Sequence, residues 1–469
     1  MANEAAHTKG ANPLENRPLI VVGAGGCGLV AALAAARRGQ RVLILEKAPE
    51  PGGNTALSTG LIPAAGTRFQ RKAGTLDDTP ELMTEDIFKK NGYQSDPDLT
   101  TLLCEGSAAL VEWLVDEVGF ELVCYTDFLY PGQSRFRMHG PPRGYGTALV
   151  DQLEQAVRGA EGIELRTSTP VEGLVWDGSR VTGVRTDAGE ITADAVILAL
   201  NGFAANSEMV EEYLGPEVAG ALYFGAPGNT GEGIRWGTAL GAATEHMCAY
   251  QGHGSVAVPD GPLVTWGLVT NGALIVNNRG RRFGCETRGY SEFAAEVLAQ
   301  PGEEAWEIFD QQVYDASRGT RFEEVIEASK VVQASTVEKL ANSLGLPADE
   351  LRATMANVSE VILGKDEDCY GRTKFKDTPL EAPFYGVRVR GALFHTQGGL
   401  KVDSSARVLD PSQKPIAGLY AGGGTAVGVS GRGADGYLAG NGLLAAVGLG
   451  KTAGEAAVKD AEAIDHHGG

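Results

Sequence analysis

The chain has 469 residues, 43% of them hydrophobic, and a formal net charge of −20. That length suits roughly two to four domains with sizeable cores. The acid excess argues against nucleic acid or an anionic membrane as partner, because both are bound through basic surfaces.

The six cysteines, Cys27, Cys104, Cys124, Cys248, Cys285 and Cys369, form no CxxC or CxxCH pattern. That excludes a zinc ribbon and a c-type haem site, and unpaired thiols suit a reducing cytoplasm. No His, Cys or Asp set stands at metal-ligand spacing. No stretch reaches the ~20 apolar residues of a membrane span. Residues 1–17 are polar, lack the apolar core of a signal peptide, and are expected to be a flexible tail.

Pro18 to Val22 is a short apolar run, read as a buried strand. It meets GAGGCG, which places Gly23, Gly25 and Gly28 in a GxGxxG turn before the alanine-rich helix Leu29 to Arg38. A second apolar strand, RVLILE, ends at Glu46. Strand, glycine turn, helix, strand and terminal acid form a dinucleotide-binding βαβ unit. The amides of Ala24, Gly26 and Cys27 and the helix N-terminus are placed to hold a pyrophosphate, and Glu46, next to Lys47, to accept from ribose hydroxyls. The segment EKAPEPGGNTALSTG follows at once, where an NAD domain usually enters another helix. Its small polar residues Gly52, Gly53, Asn54, Thr55, Ser58, Thr59 and Gly60 suit a loop along a pyrophosphate and the edge of a flavin.

Residues 78–118 read as helices by their apolar spacing. Tyr125 to Tyr145 is irregular, aromatic and basic in an acidic chain, so Arg135, Arg137, His139 and Arg143 are candidates for one wall of a pocket. TALVDQLEQAV reads as a helix. The runs after it alternate strands with tight DG and AG turns, an antiparallel three-stranded excursion. In it, Val171 falls where an adenine meets a strand backbone, and the last run ends at Asn201-Gly202. The glycine-rich loop 225–242, with Asn229, enters a helix and brings amides toward a cofactor. From Met247 to Phe384 the character changes, which suggests an inserted α+β domain. The expected organisation is tail 1–17, first part of a Rossmann-type α/β domain 18–246, insertion 247–384, and second part 385–469. Strands resume with HTQGG and PIAGLYAGGG. The segment Val429 to Leu444, VSGRGADGYLAGNGLL, then runs into a buried helix, and the tail histidines His466 and His467 are not expected to be ligands.

GAGGCG, LEK, GGNT, NGF, GNTGEG, IVNNRGRRFGCE, HTQGG and GLYAGGG…GNGLL, in that order from Pro18 to Ala457, resemble the fumarate reductase/succinate dehydrogenase flavoprotein family. The closest motif likeness is to 3-ketosteroid dehydrogenase-like desaturases. The resemblance implies bound FAD, a Rossmann-type FAD domain with an inserted cap, and an active site between flavin and cap. No covalent-flavin motif is identified, so the FAD is expected to be non-covalent. The resemblance adds Asn201, Gly202, His395, Thr396, Gly423, Gly424, Asn441, Gly442, Leu443 and Leu444 to the cofactor contacts. The helix start at Asn441 is expected to aim amides at the flavin's pyrimidine oxygen. His253 corresponds to a family histidine that touches substrate.

The departures from the family pattern point to the chemistry. Dicarboxylate reductases of this family carry a proton-delivering arginine after RF-x-NE; here Tyr290 stands there, with Arg288 a shifted competitor two residues earlier. A second arginine, which grips a substrate carboxylate, is replaced by Tyr437, and a family glutamate by Gly424. Arginine is permanently charged and bidentate toward carboxylate. Tyrosine offers one neutral O–H with a usual pKa of about 10. The expected reaction is therefore α,β-desaturation of a cyclic ketone. Tyr290 serves as base, while Tyr437 and the amides of Leu438, Ala439 and Gly440 hold the ketone oxygen; the two tyrosines' roles are interchangeable at this stage. Arg135, Arg143 and Arg432, with His253 and Asn229, favour a small acid-bearing cyclohexanone such as 4-oxocyclohexanecarboxylate, with Arg432 pairing the acid, over a 3-oxosteroid. The competing reading is a fumarate- or urocanate-type ene reductase with Arg288 or Arg432 as proton donor. Oxygen or a soluble acceptor is expected to reoxidise the flavin.

Overall fold

The computed structural model describes residues 17–259, 263–318, 323 and 328–467. Its centre is a six-stranded sheet. In spatial order the strands are Arg407–Leu409, Pro415–Ala421, Val196–Leu198, Leu19–Val22, Val42–Leu45 and Ile163–Arg166. All pairs are parallel except the first, which is antiparallel. LIVV and VLIL are buried at every position, as strands covered on both faces must be. The helix Gly26–Ala36 covers one face and packs along the last helix, Asn441–His467. A Cβ at Gly450 or Gly454 would collide with the carbonyl oxygens of Cys27 or Ala31, so the two helices meet backbone to backbone. The expected three-stranded excursion is present as Val171–Trp176, Val181–Thr186 and Gly189–Thr192.

The second sheet is organised by one long strand, Phe384–Thr396. It pairs with Leu222–Tyr223, Tyr250–Ala257, Glu304–Asp310 and Val332–Ala334, and Leu274–Val276 extends the sheet beyond Glu304–Asp310. The insertion expected over 247–384 is therefore narrower than this sheet, which begins before residue 247 and ends at 396. The long strand is the reason: its start is cap core, and its end carries His395 back to the first domain. Among the described residues, no helix is long and apolar enough to cross a membrane.

A small sheet, Ile62–Pro63, Met138–Gly140 and Val123–Tyr125, lies beside the C-terminal loop. Across the junction of the two parts, Lys90 of the helix Pro80–Asn91 pairs with Glu292 of the helix Tyr290–Leu298 and donates to the Arg288 carbonyl at 3.1 Å. Both side chains are nearly buried, so this pair fixes the start of the helix that bears Tyr290.

Gly28 carries no Cβ because one would collide with the Gly23 carbonyl at the heart of the first turn. Gly28→Ala is expected to lower unfolding free energy by at least about 2 kcal/mol, measured by urea denaturation.

Candidate active site

A cavity of about 1240 Å³ runs between the two sheets. One end is the first glycine turn, with Gly23, Gly25, Gly26 and Cys27 on its wall. The N-cap residue of the helix Gly26–Ala36, Gly25, supplies no side-chain cap, so beyond Gly26 the first-turn amides are left for a ligand. Gly26 N donates to Thr55 Oγ1 at 3.0 Å, drawing the second loop against the turn. Glu46 accepts from the amides of Ala24 at 2.7 Å and Ala48 at 2.8 Å, which orient its carboxylate at the end of the strand. Lys47 lines the cavity and pairs with Glu232 at 2.6 Å.

The loop residues Gly52, Gly53, Asn54, Thr55, Ser58 and Thr59 also line the cavity. Gly53 has φ +52 and open space where its Cβ would be. Asn54 is tied down by the Ala226 amide at 2.7 Å and by Asn229 at 2.9 Å. Val171 and Asn201 reach the wall midway, and Gly423, Gly424, Gly442 and Leu443 close it from the C-terminal side.

Other expected cofactor residues lie one layer behind. Ala24 is held by Glu46, and Gly28 packs on Gly23. A Cβ at Gly60 would press on Tyr145, and one at Gly202 on the Thr396 hydroxyl. Thr396 is taken by the Phe203 amide at 3.2 Å, Asn441 donates to Ser430 at 3.4 Å, and Leu444 is core. These residues shape the cleft without lining it. An elongated cleft with an uncapped helix start, glycines at closest approach and an oriented carboxylate fits FAD.

The other end is aromatic. The His253 ring stacks on Tyr290 (centroids 4.9 Å apart, 22° between planes) and on Phe394 (5.4 Å, 19°). Trp266 meets His253 edge-on at 5.8 Å. Tyr290 and Tyr437 are 6.2 Å apart at 64°, and His395 meets Tyr437 at 5.6 Å and 74°. Gly440 is on the wall, with φ +89; a Cβ there would lie 2.7 Å from Pro63.

His253, His395, Tyr290 and Tyr437 are all held neutral. Burial depresses His253 to about 3 and His395 to about 4. The Ser255 amide donates to His253 Nδ1 at 3.2 Å, so the neutral ring carries its proton on Nε2. Burial raises Tyr290 well above a phenol's usual value, and the nearby Tyr437 adds to the shift. Burial also pushes Tyr437 up to about 12, opposed by the amides of Gly442 and Gly440 at its oxygen. Tyr437 is thus the phenol with oriented donors, and Tyr290 the one without.

The structure does not bring the expected arginines to this site. Among the described residues, no arginine lines the cavity. Arg135 is paired with Asp77 at 2.7 Å on the surface, and Arg143 is exposed. Arg288 is 57% exposed, within 4.0 Å of Glu292 and Asp435. Arg432 is exposed, and its amide donates to Gln94 at 3.0 Å. The physical reason is desolvation: a guanidinium in this neutral wall would lack the carboxylate that makes burial tolerable.

Arg137 has that carboxylate and is fully buried, but away from the cavity. Asp78 grips it at 2.7 and 3.0 Å and Asp86 at 2.5 Å. His139 bonds Thr67 at 2.8 Å and the Arg137 carbonyl at 2.9 Å, and burial lowers it to about 4. Asn229 lines the cavity, yet its amide protons go to Asn54 and to the Tyr223 hydroxyl at 2.7 Å, so it braces the loop.

Sequence reasoning passed over Phe128, Tyr130, Trp266 and Phe394, all on the wall. The basic, aromatic stretch does reach the pocket, but through its aromatics.

A two-sheet fold with a dinucleotide cleft opening onto an aromatic chamber is the arrangement of a flavoprotein oxidoreductase. The chain matches the family model of an FAD binding domain over residues 19–443. It is 33% identical over 460 residues to a probable fumarate reductase of Shewanella frigidimarina (strain NCIMB 400), covering 96% of this chain and 76% of that protein. It superposes on the open conformation of a flavocytochrome c3 fumarate reductase with a TM-score of 0.80 and 32% identity, over 95% of this chain and 79% of that one. The 3-ketosteroid-Δ4-(5α)-dehydrogenase of Rhodococcus jostii RHA1 gives a TM-score of 0.75 and 28% identity, over 94% and 97%. The chain belongs to this FAD-binding family, and is an FAD-dependent oxidoreductase acting on CH–CH or C=C bonds.

The buried His253 gives the protein an acid-labile element. An unfolded chain binds the imidazole proton near pH 6.5, whereas the folded one refuses it until about 3. Its contribution is complete above pH 6.5 and is lost as pH falls toward 3. In thermal melts from pH 7 to 4, His253→Phe is expected to lose less stability than the wild type.

Proposed function

We propose that the chain desaturates the α,β-bond of a cyclic ketone, using FAD held without a covalent bond. One observation carries this reading: the half-buried Tyr290 and the buried Tyr437, which the motif register sets where dicarboxylate reductases need arginines, line a cavity that no arginine lines among the described residues. A dianion would enter it unpaired, at a cost of several kcal/mol per charge. A ketone enters uncharged. The acid-bearing cyclohexanone paired by Arg432 is not retained, because Arg432 lies at the surface. The apolar wall of Leu61, Phe128, Met138, Trp266 and Phe394 suits a ketone with an uncharged hydrocarbon body.

The geometry distributes the two tyrosine roles. Tyr437, whose oxygen accepts from the Gly440 and Gly442 amides, is the stronger hydrogen-bond donor and polarises the carbonyl. Tyr290, stacked on neutral His253, takes the α-proton. FAD bound in the cleft would supply the hydride acceptor; the substrate loses one proton and one hydride and gains a C=C bond. Oxygen or a soluble acceptor then takes the two electrons.

The test is anaerobic. FAD-loaded protein is mixed with cyclohexanone, 4-tert-butylcyclohexanone and 5α-androstane-3,17-dione, and flavin absorbance is followed; reduced protein is mixed with fumarate and urocanate. Bleaching by a saturated ketone is expected. Reoxidation by fumarate or urocanate without bleaching by any ketone would give the site to ene reduction, the activity in the names of several relatives.

Tyr290→Phe is expected to retain FAD and slow turnover by about 10²–10⁴-fold, the range of a lost general base. Because the Tyr290 phenolate is scarce at neutral pH, the wild-type rate should climb with pH by up to about tenfold per unit. Stopped-flow flavin reduction from pH 6 to 9 checks this, and a flat profile would remove Tyr290 as base.

A further inference from the structure

The buried Arg137 cluster ends at the active-site loop. Arg137 Nη1 donates to Gln133 Oε1 at 2.8 Å, and Gln133 Nε2 donates to the Ala439 carbonyl at 3.1 Å. The amide cannot be turned the other way: guanidinium only donates and a carbonyl only accepts, so both ends of Gln133 are assigned by their partners. Gln133 is buried and does not line the cavity.

The peptide joining Ala439 to Gly440 is trans and planar, so its C=O and N–H point to opposite sides. Holding the Ala439 oxygen toward Gln133 turns the Gly440 N–H the other way, to the Tyr437 oxygen and the cavity. The chain of bonds also has one polarity throughout. Two carboxylates fix the guanidinium, the guanidinium draws electron density from the Gln133 amide, and that amide becomes a better donor to Ala439 O. Each step makes the next donor stronger, ending at the Gly440 N–H. Gly440 does not hold this orientation by local preference, since its φ of +89 is open to many turns; the Gln133 bond fixes the peptide on one side, and the Leu444 amide at the Gly440 carbonyl (2.9 Å) and the close Pro63 ring fix it on the other.

We propose that Gln133, backed by Asp78, Arg137 and Asp86, is a positioning residue that aims and strengthens the Gly440 amide as a donor to the Tyr437 oxygen, and so the Tyr437 O–H as a donor to the oxygen of bound substrate. This deepens the ketone reading and rests on it for the identity of that oxygen. Its consequence is that the selectivity for a developing oxyanion is set outside the cavity, by residues no substrate touches.

The test uses the FAD-loaded full chain with Gln133→Glu and Gln133→Met. The first keeps an acceptor for Arg137 but sets a carboxylate oxygen against the Ala439 carbonyl; the second removes both bonds at similar length. The probe is 4-nitrophenol, whose bound ionisation, read by difference absorbance against pH, reports the donors around its oxygen. In the wild type the ionised form is expected to be favoured by about tenfold over either variant, as weakening of an oxyanion donor requires. FAD content should be unchanged, and with a bleaching ketone kcat should fall while KM holds. Equal ionisation in wild type and variants overturns the proposal, as does loss of FAD from both variants, which would make Gln133 a plain structural brace. If the phenol shift appears but no ketone bleaches the wild type, the ketone reading falls and the positioning role of Gln133 stands.

Discussion

The architecture depends on the contact between the first and last helices. Gly450 and Gly454 remove the side chains that would hold Asn441–His467 away from Gly26–Ala36, and the helices touch at Cys27 and Ala31. Residues more than 400 apart in sequence are thereby placed on the two sides of one cleft. The first glycine turn begins the first helix and the loop carrying Tyr437 ends where the last begins, so one packing contact sets the spacing of the two walls of the cleft. Small residues serve this because close-packed interiors accommodate even one extra methylene poorly.

The second organising feature is where buried charge resides. Arg137 with Asp78 and Asp86, Arg282 with Glu286 and Asp368, and Lys90 with Glu292 are buried or nearly buried ion pairs, and all stand outside the substrate end of the cavity. Such pairs are weak evidence for stability but strong determinants of geometry, since breaking one leaves an uncompensated charge. They hold the loop before Gly440 and the helix that starts at Tyr290. The chamber itself contains neutral imidazoles, phenols and indole. A neutral chamber penalises a substrate that arrives charged and still stabilises charge that develops during reaction, through fixed N–H and O–H dipoles. The sequence identity to fumarate reductases and the structural likeness to a ketosteroid dehydrogenase are compatible on this view: the scaffold is common, and a few residues at the flavin set which substrates it accepts.

The cofactor end was legible in sequence because its chemistry is local. GAGGCG, the acid ending the second strand and the GGNT loop are each governed by a turn of a few residues, and they lie together in the cleft. Tyr290 and Tyr437, singled out by register within ordered motifs, both lie on the cavity wall. The arginines were not legible. Arg135 and Arg137 sit two apart in one stretch, yet one is at the surface and the other is fully buried. Which way each points depends on Asp77, Asp78 and Asp86, contributed by a distant segment.

The amino-acid sequence by itself determined the βαβ unit and the glycine turns, because backbone sterics and hydrophobic period act over a few residues. The tertiary structure decided which side chains face the chamber, where the cap sheet begins and ends, and that no described arginine enters the cavity. It decided these because orientation, burial and ion pairing are settled by residues far apart in the chain.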